Sequence, residues 1–262
     1  MCILAIYPKN YPKLKDLENM EAMHQNGSGI AFFENGKLFY SKGLKQNAKD
    51  IMKIIKDHKP KLPIMIHFRM SSSGVTNCDD LTHPFEIDQK GVNNLSGHCD
   101  YLLAHNGTVN DDFWNCQIEL ICKLKNIRLP SGNWSDSRAM AFIVAHCGVK
   151  YLKKFFDDQK IAILYIENNK MKYELIGSYE KRNKTLLSNT WHVNDGYQSM
   201  FHFDLDKYSK KSSKYDKENL CKKCYELGYY LDKNECFEHF DYIDETINDD
   251  LFDDYIRSGK RK

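Results

Sequence analysis

The chain has 262 residues and a net charge of +2 at neutral pH; 42% of its residues are hydrophobic and 28% are charged. This composition is typical of a soluble globular protein, and the near-neutral charge argues against a nucleic-acid-binding surface. The sequence contains no run of about 18 apolar residues, which argues against a membrane-spanning helix. Nine cysteines without a secretory signal pattern favour a cytoplasmic location.

Apolar runs and turn residues predict the strands, and apolar residues at helical spacing predict the helices. The predicted strands are 2–7, 30–33, 37–40, 63–68, 101–105, 161–166, 171–176 and 185–189. The predicted helices are 13–24, 47–57, 112–125, 135–147 and 149–158. Strands come first, then helices, then strands again, and this order favours an α+β fold with antiparallel sheets over alternating βαβ units.

The composition changes near residue 205, where we place a domain boundary between 1–205 and 206–262. The segment 207–223 contains seven lysines and several serines, which is typical of a solvated linker. The segment 234–254 contains nine acidic and no basic residues. Its apolar residues are spaced as in an amphipathic helix, so we interpret it as an acidic helix that docks on the main domain or on a partner.

Two close pairs of metal-binding residue types lie in this tail. Cys221 and Cys224 form a Cys-x2-Cys pair, and Cys236 and His239 follow with the same separation. Thiolate and imidazole ligands in two such pairs suit a structural, tetrahedral Zn²⁺ site. The alternative is a pair of reduced cysteines on a helix, with no metal.

Four segments between the predicted strands carry residues suited to chemistry. They are Cys2, the stretch 67–74, the tripeptide 105–107 and the helix start 135–138. A cysteine at position two becomes N-terminal when the initiator methionine is removed, and it then holds a thiol nucleophile and an amine base on one carbon. Each segment alone has a simpler interpretation: Asn106-Gly107 is a turn dipeptide, and Asp136 is a helix cap.

In this order, the segments resemble the class II glutamine amidotransferases of the N-terminal-nucleophile (Ntn) hydrolase superfamily. The shared motifs are Cys2, Asn26-Gly27-Ser28-Gly29, the His-x-Arg segment 67–74, His105-Asn106-Gly107 and Asp136-Ser137. The resemblance spans roughly residues 2–190. It implies a four-layer αββα sandwich of two antiparallel sheets. Arg138 stands where the family commonly has Glu, and in this the chain resembles the small stand-alone members of bacteria and phages. We expect a cytoplasmic protein, which would act in the host cytoplasm if a phage encodes it.

The resemblance also implies a role for each residue in the chemistry. Cys2 attacks the side-chain amide of glutamine and forms a thioester, while its own amine transfers the proton to the departing ammonia. The side-chain amide of Asn106 and the backbone N–H of Gly107 form the oxyanion hole. No cofactor is needed for this reaction.

The head group of glutamine has its own implied partners. Arg69 and Ser72 bind the α-carboxylate, and Asp136 pairs with the α-ammonium. The chain lacks a phosphate-binding glycine-rich motif, so we expect a partner synthetase or other acceptor protein to use the ammonia.

Two alternatives from other functional classes stay open at this point. The first is an Ntn-type amidase that acts on a different amide; Arg69 and Asp136 would have no role against an apolar acyl group. The second is a non-catalytic binding or inhibitory protein that reuses the fold. Its active parts would be the cysteine-rich tail and the acidic helix.

The zinc interpretation predicts that the purified full chain contains zinc at a molar amount close to that of the protein. Elemental analysis by mass spectrometry measures this content. Cys224→Ser should abolish it because a tetrahedral site loses a ligand, whereas Cys116→Ser should leave it unchanged. A wild-type chain purified without chelator and free of zinc would support the metal-free alternative.

Overall fold

The structure, a computed structural model, describes residues 2–71, 77–190 and 192. The tail with Cys221, Cys224, Cys236 and His239, the proposed boundary near residue 205 and Ser72 all lie outside these residues. The described strands are β1 Ile3–Tyr7, β2 Ser28–Glu34, β3 Lys37–Gly43, β4 Lys61–Phe68, β5 Phe85–Glu86, β6 Ser96–Cys99, β7 Tyr101–Asn106, β8 Lys160–Glu167, β9 Lys170–Ile176, β10 Glu180–Arg182 and β11 Thr185–Leu187. The described helices are α1 Leu14–Met23, α2 Ala48–His58, α3 Asp111–Lys125, α4 Asp136–Cys147 and α5 Val149–Phe155.

The strands form two antiparallel sheets. The larger has the order β10-β11-β1-β4-β2-β3-β6, and the smaller has the order β5-β7-β8-β9. In the larger sheet β1 pairs with β4 on one side and with β11 on the other. The strand that begins just after Cys2 is therefore held between two neighbours.

Three apolar clusters separate four layers. The first lies between α1, α2 and the outer face of the larger sheet, and it includes Ile3, Leu17 and Ile51. The second joins the facing surfaces of the two sheets, where Leu4 of β1 and Leu164 of β8 belong to the same cluster. The third covers the smaller sheet with α3, α4 and α5. This αββα sandwich of antiparallel sheets confirms the predicted fold class.

The predicted helices and long strands are all present, with ends that move by a few residues. The sequence pattern missed β5, β6, β10 and the 3-10 turn at Asp79–Leu81. Strand β6 has the sequence Ser-Gly-His-Cys, which lacks apolar alternation, and it exists because its backbone pairs with β3. None of the described helices is long and apolar enough to cross a membrane.

Gly29 marks the closest approach of the chain to the inner face of β2. It pairs with His67 on β4 and with Lys42 on β3. A Cβ atom at this position would lie 1.9 Å from the backbone oxygen of His83. Backbone atoms cannot move aside as a flexible side chain can, so the packing of the 83–85 segment on β2 requires glycine here.

We expect Gly29→Ala to lower the free energy of unfolding by about 1–3 kcal/mol, because the added methyl group overpacks this contact. Gly97→Ala is the matched control, since a Cβ there meets only the Tyr40 ring at 3.4 Å. The control should change stability by no more than about 0.5 kcal/mol. Urea unfolding, monitored by circular dichroism, measures the free energy of unfolding of both variants. Equal values for Gly29→Ala and Gly97→Ala would contradict the steric argument.

Candidate active site

Cys2 lies at the N-terminal end of β1, beside the end of β4. The register pairs Ile3 with Phe68, so the residues that follow Phe68 run alongside Cys2. The Met70 N–H approaches the Cys2 sulfur at 3.4 Å, and the Met70 carbonyl oxygen lies 3.5 Å from it. The side chain of Cys2 is half-buried and not in a disulfide. The thiol is thus held by the backbone of its neighbouring strand.

Arg69 is almost completely buried, with 7% of its surface exposed. Its backbone N–H donates to the Gly27 carbonyl at 2.8 Å, and its carbonyl accepts from the Asn26 N–H at 2.9 Å. The Asn26 side chain also accepts from the Ser71 N–H at 2.9 Å. These bonds join the Asn26-Gly27 motif to the segment after β4, and they fix the backbone from which Arg69 projects.

Asn106 ends β7 and is buried at 2% exposure. Its Nδ2 donates to the Ser188 Oγ at 2.8 Å, and the same oxygen accepts the N–H of Leu4 at 2.9 Å. The Asn106 amide is therefore connected to β1 two residues from Cys2. Gly107 follows it; a Cβ there would lie 1.9 Å from the Gln159 Oε1 and 2.6 Å from the His105 Nε2, so a larger residue would require these side chains to move.

Asp136 is the first residue of α4, and the preceding Ser135 is the N-cap, since its side chain accepts from the Arg138 N–H. One Asp136 oxygen accepts from the Val109 N–H at 3.0 Å, and the other accepts from the Ser137 N–H at 2.7 Å. The carboxylate thus ties the loop after β7 to the start of α4. The interpretation of Asp136 as the helix cap is therefore wrong: Ser135 caps the helix, and the Asp136 carboxylate holds the loop that follows Gly107.

The environment of Cys2 moves the pKa of its thiol in both directions. Burial raises the pKa most, while the Met70 N–H and the nearby Arg69 charge lower it. The Asp136 carboxylate raises it. The net pKa is raised, so the thiol is protonated at neutral pH and requires a base. The same interactions show that Arg69 and Asp136 both act electrostatically on the sulfur.

Three buried histidines, His67, His83 and His105, lie in or near the motif segments and contribute to packing. His67 and His83 stack with ring centroids 4.0 Å apart, and burial lowers the pKa of His67 to about 3 and that of His83 well below its usual value. Both are neutral at physiological pH. His105 contacts the Ser137 Oγ and the Gln159 Oε1, each at 3.0 Å, so it links α4 to the end of β7.

The structure adds residues that sequence reasoning did not assign to the site. Ser188 and Asn189 follow β11, and the Asn189 Nδ2 donates to the Cys2 carbonyl at 2.6 Å. The Lys160 Nζ donates to the Ser188 carbonyl at 2.5 Å. The sequence analysis placed Ser188 and Asn189 at the end of the short predicted strand 185–189 and assigned them no role. Nothing local in the sequence could connect them to Cys2, which lies more than 180 positions away.

No protein-family model and no curated protein matches the chain. The structure is similar to "glutamine phosphoribosylpyrophosphate (PRPP) amidotransferase from B. subtilis complexed with ADP and GMP", with 19% identity and a TM-score of 0.43. It is also similar to "structure of the allosteric regulatory enzyme of purine biosynthesis", with 17% identity and the same TM-score. Each match covers 71% of this chain and 41% of the other. At these values neither similarity carries an argument about activity.

The opposite effects of Arg69 and Asp136 on the thiol predict opposite shifts in its titration. We expect Arg69→Ala to raise the pKa of Cys2, because a positive charge that favours the thiolate is lost. Asp136→Asn should lower it. The measurement is the pH dependence of iodoacetamide alkylation at Cys2, read by mass spectrometry of its peptide. Shifts of the same sign in the two variants would contradict the assigned geometry.

Proposed function

We propose that this chain hydrolyses the side-chain amide of glutamine through Cys2 and releases ammonia. The observation that carries the proposal is that the Cys2 thiol, held by the Met70 backbone next to the buried Arg69, feels one charge of each sign: the Arg69 guanidinium lowers its pKa, and the Asp136 carboxylate raises it. A guanidinium and a carboxylate next to one nucleophile suit the carboxylate and ammonium of an amino-acid head group. An Ntn-type amidase for apolar acyl amides would have no use for this pair of charges.

Before the enzyme can act, Met1 must be removed, because this processing step frees the α-amine of Cys2. The amine has a reference pKa of about 7.7–8.0, so it is partly neutral near pH 7 and able to take the thiol proton. The sulfur attacks the amide carbon, a C–S bond forms, and the carbonyl electrons move to the oxygen. When the C–N bond breaks, the ammonium of Cys2 returns its proton to the leaving nitrogen, which departs as ammonia.

The negative oxygen of the tetrahedral intermediate requires fixed donors. In our proposal the Asn106 Nδ2 and the Gly107 N–H fill this role, from the end of β7. Water then attacks the thioester carbon, with the amine again as base, and glutamate leaves with the thiol restored. Arg69 and Ser72 bind the α-carboxylate of the substrate, and Asp136 pairs with its ammonium, as the family resemblance implies.

Our proposal places the use of ammonia on another polypeptide. The sequence contains no phosphate-binding glycine-rich motif that would activate an acceptor. We therefore propose a protein partner that binds the acceptor and receives the ammonia, and we assign the chain to the small stand-alone type that acts in the cytoplasm. No metal or organic cofactor enters the proposed chemistry.

The proposal predicts that glutamate release from glutamine falls at least about 10³-fold in Cys2→Ala, because the covalent route is lost. In Asn106→Ala the rate should fall by about 10²–10³, the usual cost of one oxyanion donor. An enzyme-coupled assay of glutamate measures both. Cys116→Ala, which removes a thiol on α3, is the matched control and should stay within about twofold of wild type.

Intact-mass analysis of the same preparation establishes whether Met1 has been removed. Activity in a chain that retains Met1 would contradict the role of the α-amine. Release of glutamate at the wild-type rate by Cys2→Ala would contradict the proposed function.

A further inference from the structure

Ser188 joins the proposed nucleophile strand to the proposed oxyanion donor. Its Oγ accepts the Asn106 Nδ2 at 2.8 Å and the Leu4 N–H at 2.9 Å. The side chain is buried at 1% exposure, so water does not compete for these bonds. One oxygen atom therefore fixes the distance between the end of β7 in the smaller sheet and β1 in the larger sheet.

The Asn106 side chain depends on this single contact. Its Oδ1 is buried without a hydrogen-bond partner among the described residues, and Ser188 is the only described partner of its Nδ2. A carboxamide nitrogen carries two hydrogens, and Ser188 takes one of them. The second hydrogen is then held in a direction set by the first, because the amide group is planar.

The backbone around Ser188 is fixed independently of its hydroxyl. The Ser188 N–H donates to the Leu4 carbonyl at 2.9 Å, and the Ser188 carbonyl accepts from the Lys160 Nζ at 2.5 Å. The next residue, Asn189, donates to the Cys2 carbonyl at 2.6 Å. The pair Ser188-Asn189 thus contacts the residue that carries the thiol and the residue that carries the amide.

We propose that Ser188 is a positioning residue for glutamine hydrolysis. It holds the Asn106 amide so that the free Nδ2 hydrogen meets the oxyanion that forms when Cys2 attacks. Ser188 does not contact the substrate in this proposal; it acts through Asn106. The inference rests on the proposed function, since it assigns a cause to the geometry of that oxyanion hole.

A split between kcat and KM distinguishes positioning from a general structural role. The oxyanion exists only in the transition state, so loss of its alignment lowers kcat without weakening glutamine binding. We expect Ser188→Ala to lower kcat by about tenfold. This decrease is smaller than the decrease of about 10²–10³-fold that follows the loss of a whole oxyanion donor. KM for glutamine should stay within about twofold of wild type. Ser188→Thr keeps the hydroxyl and should restore kcat to within about threefold of wild type.

The experiment measures initial rates of glutamate release by the full chain over a range of glutamine concentrations, with thermal unfolding of each variant. Ser41→Ala is the control, because it removes a serine hydroxyl of β3 that donates to Gln46, and β4 and β2 separate β3 from β1 in the sheet. It should leave both constants unchanged. If Ser188→Ala does not fold, Ser188→Cys, which has nearly the same shape but a weak acceptor, carries the same test.

Each outcome bears on one of the two proposals. A wild-type kcat in the folded Ser188 variant, or a raised KM with kcat unchanged, would overturn the positioning role and leave glutamine hydrolysis intact. Loss of kcat that Ser188→Thr does not restore would also overturn it. A processed wild-type chain that releases no glutamate would overturn the proposed function and this inference with it.

Discussion

The antiparallel pairing of β1 with both β4 and β11 is the constraint on which the site depends. Every residue of β1 is buried, and Ile3 and Leu4 face different apolar clusters on its two sides. A slip by one residue would exchange side chains of different size between two close-packed clusters, and the cost of this overpacking and underpacking specifies the register. Because Cys2 directly precedes β1, the register also fixes the sulfur against the backbone of Met70.

The rest of the site is brought to this point by the packing of one sheet on the other. Leu4 and Met65 in the larger sheet share a cluster with Ala104 and Leu164 in the smaller sheet. This contact places the end of β7, with Asn106, next to the start of β1. Arg69 and Asp136 come from different layers: backbone hydrogen bonds hold Arg69, and the Asp136 carboxylate accepts the Val109 N–H. The packing of the layers therefore brings together the charged side chains that shift the pKa of the Cys2 thiol.

Sequence reasoning predicted the parts of the fold that have strong local patterns. Strands such as Ile3–Tyr7 are apolar runs, and α4 has a serine N-cap and an apolar run over residues 139–145. The short strand β6 was missed because only its pairing with β3 defines it. The motif residues Cys2, Arg69, Asn106 and Asp136 were identified from the resemblance of their ordered motifs to a known family, since each segment alone has a simpler interpretation. The contacts of Ser188 and Asn189 were not, since they depend on tertiary packing between distant segments.

Asn189 donates to the Cys2 carbonyl across a separation of 187 positions, so the two ends of the described domain meet at Cys2. Contacts between such distant residues form late, because a long loop must close before they contribute any stability. In the order of synthesis, Ser188 and Asn189 follow Cys2 by more than 180 residues. A chain that ends before Ser188 therefore lacks these contacts, and the surroundings of Cys2 are complete only once nearly all of the described domain has been made.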